Sequence, residues 1–176
     1  MNTRLLLAAC ALAAGAACTG PDFDAEARGA GLLVPFKTNL KSALVDGMQA
    51  GPVEAISACS MEAPSIATTL SVDGVVMGRS SHKLRNPDNA PPRWLAGHLD
   101  SFADGKQQGP LVLELEGGRF GYAEPIATQG MCLLCHGENL APEIATRISE
   151  AYPEDNATGF REGDVRGVFW VEFPQP

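Results

Sequence analysis

The run Cys132-Leu133-Leu134-Cys135-His136 constrains this chain more than any other feature of its sequence. On a helical turn, residues i, i+3 and i+4 lie on one face, so the two thiols and the imidazole project together. This C-x-x-C-H spacing is the attachment motif for c-type haem. It predicts one covalent haem c, with Cys132 and Cys135 bonded to the porphyrin and His136 on the iron.

Three other kinds of site use a C-x-x-C pair. A thioredoxin-like pair opens a helix within a βαβ pattern, which is absent around these cysteines. A zinc site requires a second pair of ligands, and an exported protein can join the two thiols in a disulfide. The complete five-residue pattern favours haem, because 5 cysteines and 3 histidines in 176 residues seldom produce it by chance.

The first residues are typical of an export signal. Arg4 precedes an apolar stretch, residues 5–17, that has the length of a signal-peptide core and is too short to span a bilayer. Small residues then lead into Cys18-Thr19-Gly20, which resembles the site where bacterial lipoproteins are cut and acylated. We expect residues 1–17 to be removed and a lipid on Cys18 to anchor the protein on the periplasmic side of a bacterial membrane. An ordinary cleaved signal is the alternative, and it also predicts export.

Length and charge limit the organisation of the chain and its partners. A chain of 176 residues with 45% hydrophobic and 19% charged residues is typical of one folded domain. Its formal net charge of −8 repels phosphate backbones, so nucleic acid is not an expected partner. After the signal, residues 18–50 are expected to form a tether and a helix, and residues 51–176 the haem domain.

Hydrophobic periodicity predicts an α+β fold. Phe36, Leu40, Leu44 and Met48 recur every four residues and predict a helix that Gly51-Pro52 ends. A short helix from Pro52 follows, and Pro64 is expected to interrupt it. Strands are predicted at residues 75–81, 111–115, 119–126 and 168–171, the middle two as a hairpin, with further helices opened by Pro92 and Pro142. Four strands with helices around them argue against a four-helix-bundle cytochrome.

A second axial ligand, if there is one, is expected upstream of the motif, because residues 137–176 contain no His, Met, Cys or Lys. Cys59 stands out, since the leader, the lipid and the motif account for the other four cysteines. It lies on an apolar stripe with Val53 and Ile56, so its sulfur is expected to point inward. A buried cysteine acting as a small hydrophobic residue explains the same pattern. The other candidates are Met61, Met77, Met131, His82 and His98.

One segment of the chain is unusually basic. Arg79, Lys83, Arg85 and Arg93 lie close together with Asp88 as the only acid among them. Haem carries two propionates that need partners when partly buried, and the arginine guanidinium suits a carboxylate. We therefore expect Arg79 and Arg85 to contact haem, with a solvated basic loop as the alternative.

Several short motifs occur in a fixed order along the chain. They are Ile56-Ser57-Ala58-Cys59, Ala63-Pro64-x-Ile66-Ala67, Leu84-Arg85-Asn86-Pro87-x-Asn89-Ala90-Pro91, Tyr122-x-x-Pro125-Ile126, Cys132-x-x-Cys135-His136-Gly137, and Tyr152-Pro153-x-Asp155-x-Ala157-x-Gly159-Phe160 with Gly163-Asp164-x-Arg166-Gly167. Together they resemble the family of single-haem c-type proteins with a PAS-like fold, found alone or as the sensor part of signalling proteins. The resemblance implies an antiparallel sheet flanked by helices and a haem ligated by His136 and Cys59.

The ligands implied by the resemblance predict the chemistry. A thiolate lowers the reduction potential of haem iron, whereas methionine raises it, so a His/Cys pair predicts a low-potential centre. With both axial positions filled, no site remains for a substrate, and we do not expect an enzyme. A redox or gas sensor is one expectation, with a separate signalling partner because the chain carries no output module. A simple electron-transfer cytochrome, which needs only a redox partner protein, is the other.

Overall fold

The computed structural model describes residues 23–175. The predicted leader, residues 1–17, and the predicted lipid site Cys18 lie outside the described residues. The described elements are α1 (Ala25–Ala50), α2 (Pro52–Leu70), β1 (Val76–Ser80), α3 (Arg93–Ala96), α4 (Leu99–Ala103), β2 (Leu111–Leu115), β3 (Arg119–Ala127), α5 (Leu133–His136), α6 (Pro142–Ala151) and β4 (Val165–Pro174). Single 3₁₀ turns cover Pro87–Asn89 and Gly130–Cys132.

The four strands form one antiparallel sheet in the order β1-β4-β3-β2. The alternating residues of β2 and β3 pair as the predicted hairpin, with Leu111 opposite Ala123 and Leu115 opposite Arg119. Gly117 and Gly118 make the turn at φ values of 73° and 66°, which glycine adopts without steric cost. A mixed fold with an antiparallel sheet flanked by helices confirms the predicted α+β class.

Helices α1 and α2 are longer than the periodicity predicts. Helix α1 begins at Ala25 and continues through Pro35, and α2 continues through Pro64 to Leu70. The prediction that Pro64 interrupts this segment is therefore wrong. Proline removes one backbone hydrogen bond from a helix, but Ile66 and Leu70 beyond it pack against the core and hold the helical path.

Hydrophobic clusters cover both faces of the sheet. Consecutive residues of β3, Tyr122 and Ala123, belong to different clusters, as the alternation of side chains along a strand requires. The first cluster joins α1 to the sheet through Leu33, Phe36, Met77, Tyr122, Val171 and Phe173. The second packs α3 and α4 on the other face through Leu95, Leu99, Phe102, Ala123 and Val168. The helix expected from Pro92 is thus two short helices, and Leu95, Leu99 and Phe102 on them are buried.

A third cluster fixes the end of α2 that approaches the attachment motif. Ile56 of α2 packs against Ile144 and Ile148 of α6 and against Tyr152, and Cys135 is partly buried beside them. This contact brings α2, which carries the predicted ligand Cys59, close to α6 and to the attachment motif. No helix within residues 23–175 is long and apolar enough to span a membrane.

Candidate haem-binding site

The attachment motif forms a compact double turn. The 3₁₀ turn that ends at Cys132 runs directly into α5, which ends at His136. The thiols of Cys132 and Cys135 are free and half-buried. Gly137 follows because a Cβ atom there would lie 2.6 Å from the carbonyl oxygen of Leu133. The sequence therefore closes this turn with the one residue that avoids the clash.

A strap of four residues, Ala157 to Phe160, holds the motif in place. The Phe160 N–H donates to the His136 carbonyl at 2.9 Å, and the Gly159 N–H donates to the Gly137 carbonyl at 3.0 Å. The Nδ1 atom of His136 lies 2.7 Å from the Ala157 carbonyl oxygen. A carbonyl only accepts, so Nδ1 carries the proton and the Nε2 lone pair is left to bind a metal.

The surroundings of His136 favour the neutral imidazole. Burial lowers the pKa of His136 to about 2, and the nearby guanidinium groups of Arg166 and Arg85 contribute in the same direction. The hydrogen bond to Ala157 acts in the opposite direction. Neutral imidazole is the form that ligates a metal ion. The structure thus holds His136 in the tautomer and charge state that an iron ligand requires.

Arg85 and Asp155 form a buried clamp behind the motif. Arg85 Nε and Nη2 each donate to the Asp155 carboxylate at 3.1 Å, and the two side chains are 11% and 9% exposed. Arg85 Nη2 also donates to the Cys135 carbonyl at 2.5 Å and the Ala157 carbonyl at 3.3 Å. Asp155 in turn accepts the Ala157 N–H at 2.8 Å. The clamp ties α5 to the strap that orients His136.

A cavity of about 390 Å³ lies between the helices and the sheet, within the size range of ligand pockets. Cys59, Cys132, Cys135 and His136 all open onto it. Helices α1 and α2 and strands β1, β3 and β4 supply most of its remaining wall. The apolar part of that wall includes Leu40, Leu44, Ile56, Ile126 and Phe169. The four residues that sequence reasoning singled out for haem attachment and ligation are therefore brought together.

The cavity separates the candidates for the second axial ligand. Cys59 and Met131 line it, whereas Met61 is 74% exposed and Met77 is buried in the first core cluster. His82 and His98 are not among the described residues that line the cavity. Burial raises the pKa of the Cys135 thiol; the nearby Arg85 opposes this, and the thiols of Cys59 and Cys132 add to it. All three thiols also line the cavity.

Cations alone supply the charge of the cavity wall. The charged residues that line it are Lys37, Lys41, Arg79, Arg85 and Arg166, and no carboxylate is among the described lining residues. Lys37 pairs with Glu124 and Arg85 with Asp155. Arg79 and Arg166 take part in none of the ion pairs within residues 23–175.

Arg166 is a candidate site residue that sequence reasoning did not assign. It lies at the start of β4, and burial, reinforced by Arg79 and Arg85, lowers its pKa to about 9. Its Nε atom is buried without a hydrogen-bond partner in the described part of the chain. The order Gly163-Asp164-x-Arg166-Gly167 is the signal that could have found it. Sequence reasoning misses the residue because its position precedes the predicted final strand.

The basic segment divides in the fold. Arg79 and Arg85 line the cavity, while Arg93 is exposed. Lys83 donates to the Thr158 carbonyl at 3.3 Å and lies 5.1 Å from the centre of the Phe160 ring. Only half of the segment therefore faces the proposed ligand.

Comparison with known proteins identifies the family. The Tll0287-like family model matches residues 33–174. The chain belongs to the Tll0287-like family. The solved structure of the cyanobacterial heme-protein Tll0287 is 26% identical to this chain, with a TM-score of 0.64, and the match covers 84% of this chain and 95% of that one. A comparison with curated proteins gives no match.

The Tll0287-like match includes every element that borders the cavity. It begins within α1 and ends within β4, so it contains Cys59, the attachment motif, the strap and Arg166. The resemblance to a family of haem proteins, indicated by the ordered sequence motifs, is thereby confirmed.

Proposed function

We propose that this protein carries one covalent haem c, with Cys132 and Cys135 bonded to the porphyrin and His136 and Cys59 on the iron. The observation that carries the proposal is that these four side chains open onto one cavity. The residues fit the group: His136 offers a neutral nitrogen, much of the cavity wall is apolar as a porphyrin requires, and the charges of the wall are cationic. The similar cyanobacterial protein Tll0287 is described as a heme-protein, which supports the same cofactor here.

The residues of this chain would set the properties of the centre. Bound haem supplies one-electron chemistry. The Ala157 carbonyl keeps His136 oriented through its Nδ1 proton, and such hydrogen bonds raise the basicity of a ligating histidine. The thiolate of Cys59 lowers the reduction potential. Because His136 and Cys59 would both hold the iron, we infer a low-potential centre without an open site for a substrate, and therefore no enzymatic turnover.

The role that follows is a redox or gas sensor of the cell envelope. A weak bond to Cys59 would break on reduction or give way to a diatomic ligand, and the PAS-like frame would pass the change to a signalling partner protein. The alternative is an electron-transfer cytochrome in which His136 and Cys59 stay bound and a redox partner exchanges electrons with the centre. In both cases we propose a periplasmic location, with a lipid on Cys18 as the membrane anchor.

Replacing Cys59 by alanine is expected to change the low-spin electron paramagnetic resonance spectrum of the ferric protein, because the variant lacks the thiolate. Met131→Leu is the matched control, since Met131 is another sulfur residue on the cavity wall outside the Cys132–Cys135 pair and is a candidate ligand; its spectrum should equal that of the wild type. An unchanged Cys59→Ala spectrum would rule out the thiolate assignment. A changed spectrum in Met131→Leu alone would transfer the role to methionine.

Carbon monoxide separates the two roles. A sensor with a displaceable Cys59 bond is expected to bind the gas once reduced, with a shift of its visible absorption bands. A carrier is expected to show the same absorption spectrum in the reduced state with and without the gas. Reduced wild-type protein that ignores carbon monoxide would therefore refute the sensor role and favour electron transfer.

A further inference from the structure

We propose that Arg166 and Arg79 bind the two propionates of the haem, while Arg85 holds the attachment loop and does not contact them. This inference rests on the proposed function and extends it to the polar end of the ligand. It assigns Arg166 a binding role. Arg166 thereby replaces Arg85 as an expected partner of the porphyrin carboxylates.

The surroundings of Arg166 indicate that its guanidinium binds an anion. Its guanidinium lies 5.2 Å from the centre of the Phe160 ring, and its Nη1 atom makes a long hydrogen bond of 3.4 Å to the Lys83 carbonyl. Its Nε atom is buried with no partner among the described residues. Arg166 as a whole is partly buried, and removing a cation from water without a counter-ion is unfavourable. A carboxylate in the cavity would accept a hydrogen bond from the Nε atom and would neutralise the charge of the guanidinium.

Arg79 offers a second free guanidinium on a neighbouring strand. Strand β1 pairs with β4, and Arg79 lies opposite Phe169, which also lines the cavity. Arg79 forms no ion pair within residues 23–175. Adjacent strands thus present two arginines to the same volume, and an arginine can bind a carboxylate through two parallel hydrogen bonds.

The other cations of the wall are already accounted for. Arg85 donates to Asp155, Cys135 and Ala157, and Lys37 is paired with Glu124. Lys41 is exposed to solvent. Two arginines therefore remain for two carboxylates. The contrast with the net charge of −8 for the whole chain indicates that this cluster of cations is built for an anionic ligand.

The test is the reduction potential of haem-loaded protein with Arg166→Gln, Arg79→Gln or Arg166→Lys. Loss of a positive charge stabilises the ferric state. Each glutamine variant should therefore shift the one-electron equilibrium about tenfold toward the oxidised form, which lowers the reduction potential by ~59 mV. The propionate bending band in the resonance Raman spectrum should move as well. Arg166→Lys keeps the positive charge, so its reduction potential should stay close to that of the wild type. Arg93→Gln is the control, because Arg93 is exposed and should change neither reading.

The outcomes separate this inference from the proposed function. Glutamine variants that retain haem with a wild-type potential and Raman band would overturn the inference alone. If Arg166→Gln yields no haem-loaded protein, Arg79→Gln and Arg166→Lys decide by the same two readings. Wild-type protein that lacks attached haem would instead refute the proposed function.

Discussion

Asp155→Asn is expected to lower the free energy of unfolding by about 3–5 kcal/mol. The substitution keeps the shape of the side chain but leaves Arg85, which is 11% exposed, without its counter-ion. It also weakens the hydrogen bond that Asp155 accepts from the Ala157 N–H, and Ala157 orients His136. Urea denaturation of the haem-loaded protein measures the change. In the proposed haem centre, the loss should be accompanied by weaker binding of His136 to the iron.

Glu138→Gln provides the matched control for this prediction. Glu138 accepts a hydrogen bond from Arg161 at 2.8 Å, but these side chains are 53% and 78% exposed. An exposed ion pair contributes about 0–1 kcal/mol, so the control should lose at most that amount. Equal small losses in the two variants would show that the Arg85–Asp155 pair does not clamp the loop.

Phe36→Ala is expected to cost about 3–5 kcal/mol of unfolding free energy. Phe36 is 1% exposed in the first core cluster. Its ring lies 5.7 Å from that of Phe169, edge to face at 80°, an arrangement that favours aromatic pairs. Truncation leaves a void where α1 packs against β4. Because α1 and Phe169 both line the cavity, the haem absorption spectrum of the same variant should also change at a lower urea concentration than that of the wild type.

Val34→Ala is the control on the same helix. Val34 is 54% exposed, and surface substitutions of this kind usually change stability by less than about 0.5 kcal/mol. Thermal or urea unfolding of both variants gives the comparison. A Phe36→Ala protein as stable as Val34→Ala would contradict the assignment of Phe36 to the core.

Regular alternation made part of the fold predictable. The hairpin followed from alternating leucines up to Gly117-Gly118, and the final strand followed from an apolar run around Phe169 and Trp170. That strand extends to Val165 and Pro174. The extra residues were not predicted because Arg166 and Glu172 are polar, and strand pairing, not side-chain hydrophobicity, holds them in the sheet.

Tertiary packing explains the errors in the helices. Local rules place a helix end near Pro64, but contacts that are distant in sequence, such as those of Ile66 and Leu70 with the core, outweigh one lost hydrogen bond. The same limit applies to Pro35 in α1. Single-residue propensities carry no information about which surface will cover a helix.

The candidate site was predictable where its residues are adjacent in sequence. The spacing of Cys132, Cys135 and His136 reports a local geometry, whereas Cys59 was found by accounting for the other cysteines and by resemblance. Arg166 lies in the motif Gly163-Asp164-x-Arg166-Gly167, but the motif alone gives it no role, and the fold places it beside the cavity. Its unsatisfied Nε atom is a property of the packed structure, and no sequence pattern encodes it directly.

The intact mass of the exported wild-type protein under denaturing conditions tests the central claim most directly. Two thioether bonds at Cys132 and Cys135 predict a chain heavier than the processed polypeptide by one haem, with its colour retained after acid acetone extraction. A colourless product, or a chain of unmodified mass whose pigment enters the acetone, would contradict the account.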